Sequence, residues 1–304
     1  PHIIRSYEGY KYWILGTDLQ DGFDQLNGSQ SIIVWASADL VSWSESRLEL
    51  VLDNAGCAWA PEAIYDEETG YYLVYWASRD RRDYGTNQWA LRMYVCQTRD
   101  FHTFSEPVVW ADVDDEGSEK NIIDASVIYS NGYYYRFSTS DWHTVVDYCD
   151  RLSLDMNDWQ TIVARGEYGA YGFDSMEGIT SYQLPDGRWC VMGDNSAYRG
   201  FVIEEEDLHS MKFTKLGSGA TSSTSNSFDR TFRHGTVMRL SAAEEERVMN
   251  AYGGGYNATQ KYVTGVKNGS ADPFMAEAGE NVTVKAADKR GYTFTNWLFH
   301  GVEL

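Results

Sequence analysis

The sequence predicts an all-β chain: a five-bladed β-propeller followed by a small partial β domain. Three recurrences predict it. An aromatic strand phrase returns as "GYKYWILGT" at 9–17, "GYYLVYWAS" at 70–78, "GYYYRFSTS" at 132–140 and "GRWCVMGDN" at 187–195. Its aligned aromatics, Tyr12, Tyr72, Tyr134 and Trp189, lie 60, 62 and 55 residues apart. A polar turn then recurs as "SADLVSW", "TRDFHTF", "SLDMNDW" and the looser "EEDLHSMKF", with Asp39, Asp100, Asp155 and Asp207 at spacings of 61, 55 and 52. Finally, a short apolar strand precedes each aromatic one. Fixed-period self-similarity is the mark of radial or stacked repeat folds.

Each unit reads as short strand, glycine turn, aromatic strand, further strand, Asp-aromatic turn and outer strand. The short strands begin "PHIIRSYEG" at 1, "APEAIYDEETG" at 60, "DASVIYSNG" at 124 and "EGITSYQLPDG" at 177. "EG", "ETG", "NG" and "DG" are hairpin connections that let the chain turn back on itself. In the polar turns, a short Asp side chain accepts hydrogen bonds from the turn backbone while the aromatic packs beneath. "RHGTVMRLS" at 233 supplies a fifth opening strand, and ring closure by the chain ends would complete its blade. Helical periodicity is confined to "SAAEEERVM" at 241–249. The propeller domain is therefore expected over 1–249, a linker over 250–261 and a partial domain over 262–304.

Bulk properties narrow the function. The 304 residues carry a formal net charge of -20, and 15% are aromatic. Such a chain repels nucleic acid, so no nucleic-acid role is expected, and tyrosine and tryptophan suit strands and sugar-stacking surfaces. No stretch of eighteen apolar residues occurs, so no membrane insertion is expected of this chain. Cys57, Cys96, Cys149 and Cys190 are widely scattered without metal spacing and read as buried thiols.

In a propeller the first strand of every blade lines the central channel, and the beginnings of those strands meet at one mouth. Glu62, Asp124, Glu177 and His234, with Arg233 beside it, stand at these beginnings. Burying unpaired charge is costly, so a plain core would not gather them. Crowded carboxylates push each other's pKa values apart, leaving one protonated as an acid and another ionised, which glycoside hydrolysis requires. Trp59 and Trp142, near the same mouth, are candidates to stack on a sugar.

"WAPEAIYDEETGYYLVYWAS", "IDASVIYSNGYYYRF", "MEGIT" and "FRHGTVMRL" resemble glycoside hydrolase family 43. The resemblance covers residues 1 to about 249. It implies a five-bladed propeller and an inverting mechanism, with Glu177 as the general acid and Asp124 as the residue that orients it and tunes its pKa. It also implies a base Asp in the first blade, in a motif followed by Pro-His or Pro-Tyr. Since this sequence opens "PHIIRS", that Asp is expected immediately before Pro1, outside the sequence; Asp18, Asp21 and Asp24 are poor substitutes. "IDAS" and "EGIT" depart from the commoner Asp-Pro and Glu-Gly-Pro while keeping the acids. Glu62, Trp59, Arg233, His234 and Trp142 are expected to contact substrate. No cofactor is required; a structural calcium is possible, with His234 an indirect partner because calcium prefers oxygen ligands.

The implied substrate is an oligo- or polysaccharide. The leading expectation is an exo-acting α-L-arabinofuranosidase of plant polysaccharide side chains. β-Xylosidase or galactofuranosidase activity, or a non-catalytic sugar-binding propeller, are the alternatives. The tail, with "AGENVTVKA" followed by "GYTFTNW", resembles internalin-type B-repeats and implies an extracellular or cell-surface bacterial protein.

Overall fold

A computed structural model describes residues 1–19, 22–49, 54–112, 121–194, 198–216 and 234–253, and short stretches between 261 and 303. Four antiparallel four-stranded sheets follow one another along the chain, each a simple meander in sequence order. The first comprises β1 (His2–Arg5), β2 (Tyr12–Thr17), β3 (Ser31–Ser37) and β4 (Ser44–Glu49). The second comprises β5 (Trp59–Asp66), β6 (Tyr71–Ser78), β7 (Arg92–Thr98) and β8 (Val108–Ala111). The third holds β9 (Ile123–Ser130), β10 (Tyr133–Ser140), β11 (His143–Cys149) and β12 (Gln160–Val163). The fourth holds β13 (Glu177–Gln183), β14 (Trp189–Asp194), β15 (Tyr198–Ile203) and β16 (Thr214–Lys215). These are propeller blades.

The recurring aromatic strand is explained by two-sided burial. Side chains alternate between the two faces of a strand. On β6, Tyr72, Val74 and Trp76 pack with Trp13, Leu15, Ile32 and Val34 of the first blade. The intervening Leu73, Tyr75 and Ala77 pack with Ala125, Val145 and Trp159 of the third. A strand flanked by a blade on each face must be apolar at every position, so it reads as a continuous run. A third cluster joins blades three and four through Tyr135, Phe137, Val146, Val191 and Phe201.

The polar turns form as expected at three of four places. Asp39 Oδ1 accepts from the backbone of Val41 and Ser42 at 2.8 and 2.7 Å. Asp100 Oδ1 accepts from His102 and Thr103, both at 2.8 Å, and Asp155 Oδ1 accepts from Asn157 at 2.9 Å. Asp207 lies instead in a 3-10 turn spanning Glu205–Ser210. All four cysteines are buried free thiols. Burial pushes Cys57 up to about 11 and Cys96 up to about 12.

Five blades were expected, and the described residues form four. The fifth opening is not a strand: residues 235–241 take no regular structure, and residues 217–233 lie outside the described set. The 235–241 segment bridges the fourth blade to the first. Gly235 N donates to the Tyr198 hydroxyl on β15 at 3.1 Å. Thr236 Oγ1 donates to the Pro1 carbonyl at 2.9 Å, and Arg5 of β1 donates to the Arg239 carbonyl at 2.7 Å. Two of its backbone groups, the Gly235 N–H and the Arg239 carbonyl, are thus taken by side chains of blades four and one.

The expected helix is present and longer than its periodicity suggested, α1 (Ala242–Tyr252), so the expected propeller boundary at 249 falls inside it. Ser241 and Glu244 form a reciprocal capping box. Glu244 also takes the Arg5 guanidinium at 2.8 Å and the Tyr12 hydroxyl, and Tyr252 donates to the Val41 carbonyl at 2.8 Å. The helix is thus fastened to blade one at both ends. Beyond it the described pieces are two-stranded: Lys261–Val263 with Met275–Glu277, Gly269–Asp272 with Thr283–Ala286, and Leu298–Phe299 with Val302–Glu303. No helix among the described residues is long and apolar enough to cross a membrane.

Candidate active site

The inner strands of blades two, three and four share one irregularity. Between Trp59 and Glu62 of β5 the register against β6 shifts by one residue. The same shift occurs between Ile123 and Ser126 of β9 and between Glu177 and Thr180 of β13. Each is a β-bulge, in which two residues oppose one on the partner and a side chain is re-aimed. The residue after the first pair is left-handed in every case: Ala60 at φ 50°, Asp124 at φ 56° and Gly178 at φ 61°. Such backbone is strained for residues other than glycine and concentrates where function demands it. His234 shares it, at φ 43°.

This register corrects the sequence alignment of the acids. Glu62, Asp124 and Glu177 are not equivalent. Glu177 holds the place before the bulge, with Trp59 and Ile123 in the other blades. Asp124 holds the bulge itself, with Ala60 and Gly178. Glu62 lies two residues further on, level with Ser126 and Thr180, and with His2 in blade one, since Leu15 opposite His2 corresponds to Tyr75 opposite Glu62. These strand starts are buried at three successive positions and carry no polarity alternation for an inserted residue to break, so the sequence did not reveal it.

The acids nevertheless converge. Asp124 is buried, and its Oδ2 accepts the Gly178 N–H at 2.8 Å, so the residue next to Glu177 is bonded directly to Asp124. Its Oδ1 faces His234 Nδ1 at 3.5 Å. Glu62, 2% exposed, approaches His2 Nδ1 at 3.6 Å and accepts weakly from the Tyr75 hydroxyl at 3.4 Å. Among the described residues, its Oε1 is buried without a hydrogen-bond partner. Burial pushes the Tyr75 hydroxyl well above its ordinary pKa, with the Glu62 charge adding to it.

Two further residues at this mouth carry no sequence signal of their own. Asp194, at the end of β14, is buried and stands directly opposite Glu177 in the hairpin. Gly178 is required between them: a Cβ there would lie 3.2 Å from Asp194 Oδ2 and 3.2 Å from His234 Cβ, at a positive φ. Tyr198 donates to the Gly178 carbonyl at 3.4 Å while receiving Gly235 N–H. Burial raises its pKa, and Glu62, Asp194 and Asp124 raise it further, while the Gly235 contact acts against them. Counting outward from the "DG" turn at 186–187 would have paired Asp194 with Glu177 only if the bulge were known.

The remaining expected site residues divide. Trp59 opens β5, partly buried and edge-on to Phe23 with ring centres 6.2 Å apart. Trp142 is 54% exposed on the β10–β11 turn, its carbonyl held by the Ser175 hydroxyl at 2.6 Å. Arg233 lies outside the described residues. Asp18 is occupied by the Ser29 hydroxyl at 2.7 Å, and Asp24 caps the backbone of Leu26 and Asn27. Calcium takes six to eight oxygens, and among the described residues no three His, Cys, Asp or Glu side chains gather closely enough to hold a metal.

Residues 1–246 match the family model described as a probable glycosyl hydrolase domain, a relative of glycosyl hydrolase family 43. The chain belongs to this family. A curated relative, the alpha-L-arabinofuranosidase of Bifidobacterium longum subsp. longum, is 33% identical over 161 residues. That match spans 46% of this chain but 15% of the relative's length. Among solved structures, the exo-beta-1,3-galactanase of Clostridium thermocellum superposes with a TM-score of 0.51 at 16% identity, covering 72% of this chain and 48% of that one. The exo-beta-1,3-galactanase of Phanerochaete chrysosporium, solved with galactose, gives 0.50 at 13%, covering 73% and 49%. At such identities the likeness is one of fold: these family members share the propeller.

Proposed function

We propose that this glycosyl hydrolase is an inverting exo-glycosidase acting on α-L-arabinofuranosyl units of polysaccharide side chains. Glu177 is the general acid that protonates the leaving oxygen, and Asp124 orients and tunes it. The observation that carries this reading is the bond from Gly178 N–H to Asp124, which ties Asp124 to the residue next to Glu177 across adjacent blades. The arabinofuranosyl assignment draws on the Bifidobacterium relative.

The general base belongs in blade one. The bulge slot that holds Asp124 lies two residues before the level of His2, Glu62, Ser126 and Thr180. In blade one that slot falls immediately before Pro1, where the family resemblance expects the base Asp. A water between such a carboxylate and Glu177, roughly 6.5–9.5 Å across, would attack with inversion. Trp59, Trp142, Glu62, His234 and Arg233 would line the sugar pocket. The B-repeat-like tail supports an exported, surface-associated protein with a further domain after the propeller.

The test uses the full-length protein on a panel of nitrophenyl glycosides, followed by Asp124→Asn. Removing the Asp124 negative charge lowers the pKa of the acid. The alkaline limb of kcat/KM, above which the acid has lost its proton, then moves to lower pH. An unmoved limb removes Asp124 from the tuning role, and no turnover of any glycoside by the wild type removes the enzymatic reading.

A further inference from the structure

The face of the propeller opposite the axial acids carries a tyrosine platform. The inner hairpins turn there, at residues 6–11, 67–70 and 131–132. Asp124 and Tyr129 sit five residues apart on one strand, about 16 Å at ~3.3 Å per residue. Tyr7, Tyr10 and Tyr129 are each more than half exposed, and Tyr133 is 39% exposed. Singly exposed aromatics are ordinary, but contiguous groups of them mark an interaction surface.

The rings are held in place in two groups on this face, one on blades one and two and one on blade three. Tyr7 stacks on Tyr65 with ring centres 4.5 Å apart and planes 21° from parallel, leaving its other face to solvent. Tyr65 packs on Tyr72, whose hydroxyl receives the Tyr7 N–H at 2.9 Å, so the first two blades share one aromatic stack. On blade three, Tyr129 packs against Tyr134 at 4.6 Å. Tyr134 packs into the interface of blades two and three; burial pushes its hydroxyl up to about 12, and the charges of Asp66, Glu67 and Glu68 add to this. Rings fixed in this way lose little conformational freedom when a ligand arrives.

We propose that this platform is a second carbohydrate site that binds a neutral polysaccharide chain, separate from the axial mouth. The chemistry selects that occupant. Aromatic faces stack on the C–H faces of sugar rings, while tyrosine hydroxyls and the neighbouring Glu8, Glu67 and Glu68 accept hydrogen bonds from sugar hydroxyls. The same carboxylates, on a chain of net charge -20, repel nucleic acid and anionic polymers. The platform would keep a polymer at the enzyme while its side chains are trimmed at the other face. The inference rests on the carbohydrate reading of the axial site, but its readout is independent.

The test is affinity gel electrophoresis of the full-length protein in gels containing soluble arabinan, arabinoxylan or galactan, beside aryl-glycoside turnover. Tyr7→Ala/Tyr129→Ala should weaken retention about five- to tenfold in at least one gel and leave aryl-glycoside turnover unchanged. Tyr7→Trp/Tyr129→Trp, which keeps the stacking faces, should retain binding and so excludes loss of fold. Retention unchanged in the alanine variant, retention lost equally in the tryptophan variant, or no wild-type retention in any gel overturns the platform. Retention without any turnover would instead overturn the axial reading and leave the platform standing.

Discussion

Two buried ionic regions of this propeller are built to opposite specifications. At the interface of blades two and three, Arg136 is 2% exposed. Its guanidinium lies between Trp110 and Trp159, 4.6 and 4.4 Å from the ring centres. It donates to the Trp110 carbonyl at 2.6 Å and to Asp147 at 2.9 Å. Burial lowers its pKa against the raising charge of Asp147, and aromatic faces and acceptors surround a charge that stays in place. At the axis, Asp124 sits in left-handed backbone, and histidines approach at 3.5 Å or more. The Arg136 charge is enclosed by rings and ion-paired, although its Nε, like Glu62 Oε1, is buried without a hydrogen-bond partner among the described residues; the axis differs in its left-handed backbone and longer approaches. Charges kept for chemistry are left strained and loosely paired, so that a substrate can complete them.

Substitutions separate the two regions. Arg136→Met strands Asp147 and removes two cation–π contacts; it should cost about 3–5 kcal/mol in urea unfolding, with turnover per folded molecule unchanged. A third charged site, Glu244, gives the next effect. Burial disfavours its ionised form, but hydrogen bonds from Tyr12 and Ser241 and the charge of Arg5 prevail and bring it to about 2, against an ordinary 4.5. The folded pKa is depressed, so this stability is fully present above about pH 4.5 and is lost as pH falls towards 2. The difference amounts to about 3 kcal/mol. Glu244→Gln should lower stability at neutral pH by a comparable amount and flatten the acid limb of the stability profile, which thermal unfolding against pH would read.

At the axis, Gly178→Ala forces a side chain into positive φ against Asp194 and His234. It should cost about 1–3 kcal/mol and depress kcat far more than unfolding alone explains. The smallest effect should be Tyr198→Phe, which leaves Gly235 N–H without its acceptor: about 1 kcal/mol of stability, measured by thermal unfolding. If Arg136→Met impaired turnover while Gly178→Ala did not, the division between the regions would be wrong.

Much of this was legible in the sequence, for physical reasons. Two-sided burial forces strands such as β6 and β10 to repeat an aromatic phrase, and short Asp side chains announce the turns at Asp39, Asp100 and Asp155. Asp124 and Glu177 were legible at strand openings because charge there has no structural excuse. The rest left no local trace. The bulges displaced Glu62 from its expected equivalence. Asp194 and Tyr198 reach the mouth from the second and third strands of their blade, where a single acid or tyrosine reads as ordinary. "RHGTVMRLS" has the pattern of a strand, yet Thr236 and the Arg239 carbonyl bond to blade one, and four sheets are described where five were expected.

The most direct measurement of the central claim compares Glu177→Gln with the wild-type full-length enzyme across aryl glycosides of graded leaving-group acidity. A general acid is needed most where the departing oxygen is most basic. Turnover should fall about 10²–10⁴-fold for poor leaving groups and scarcely at all for the best, with unfolding unchanged. A uniform loss across the series, or none, would contradict the assignment of Glu177 and the axial site built around it.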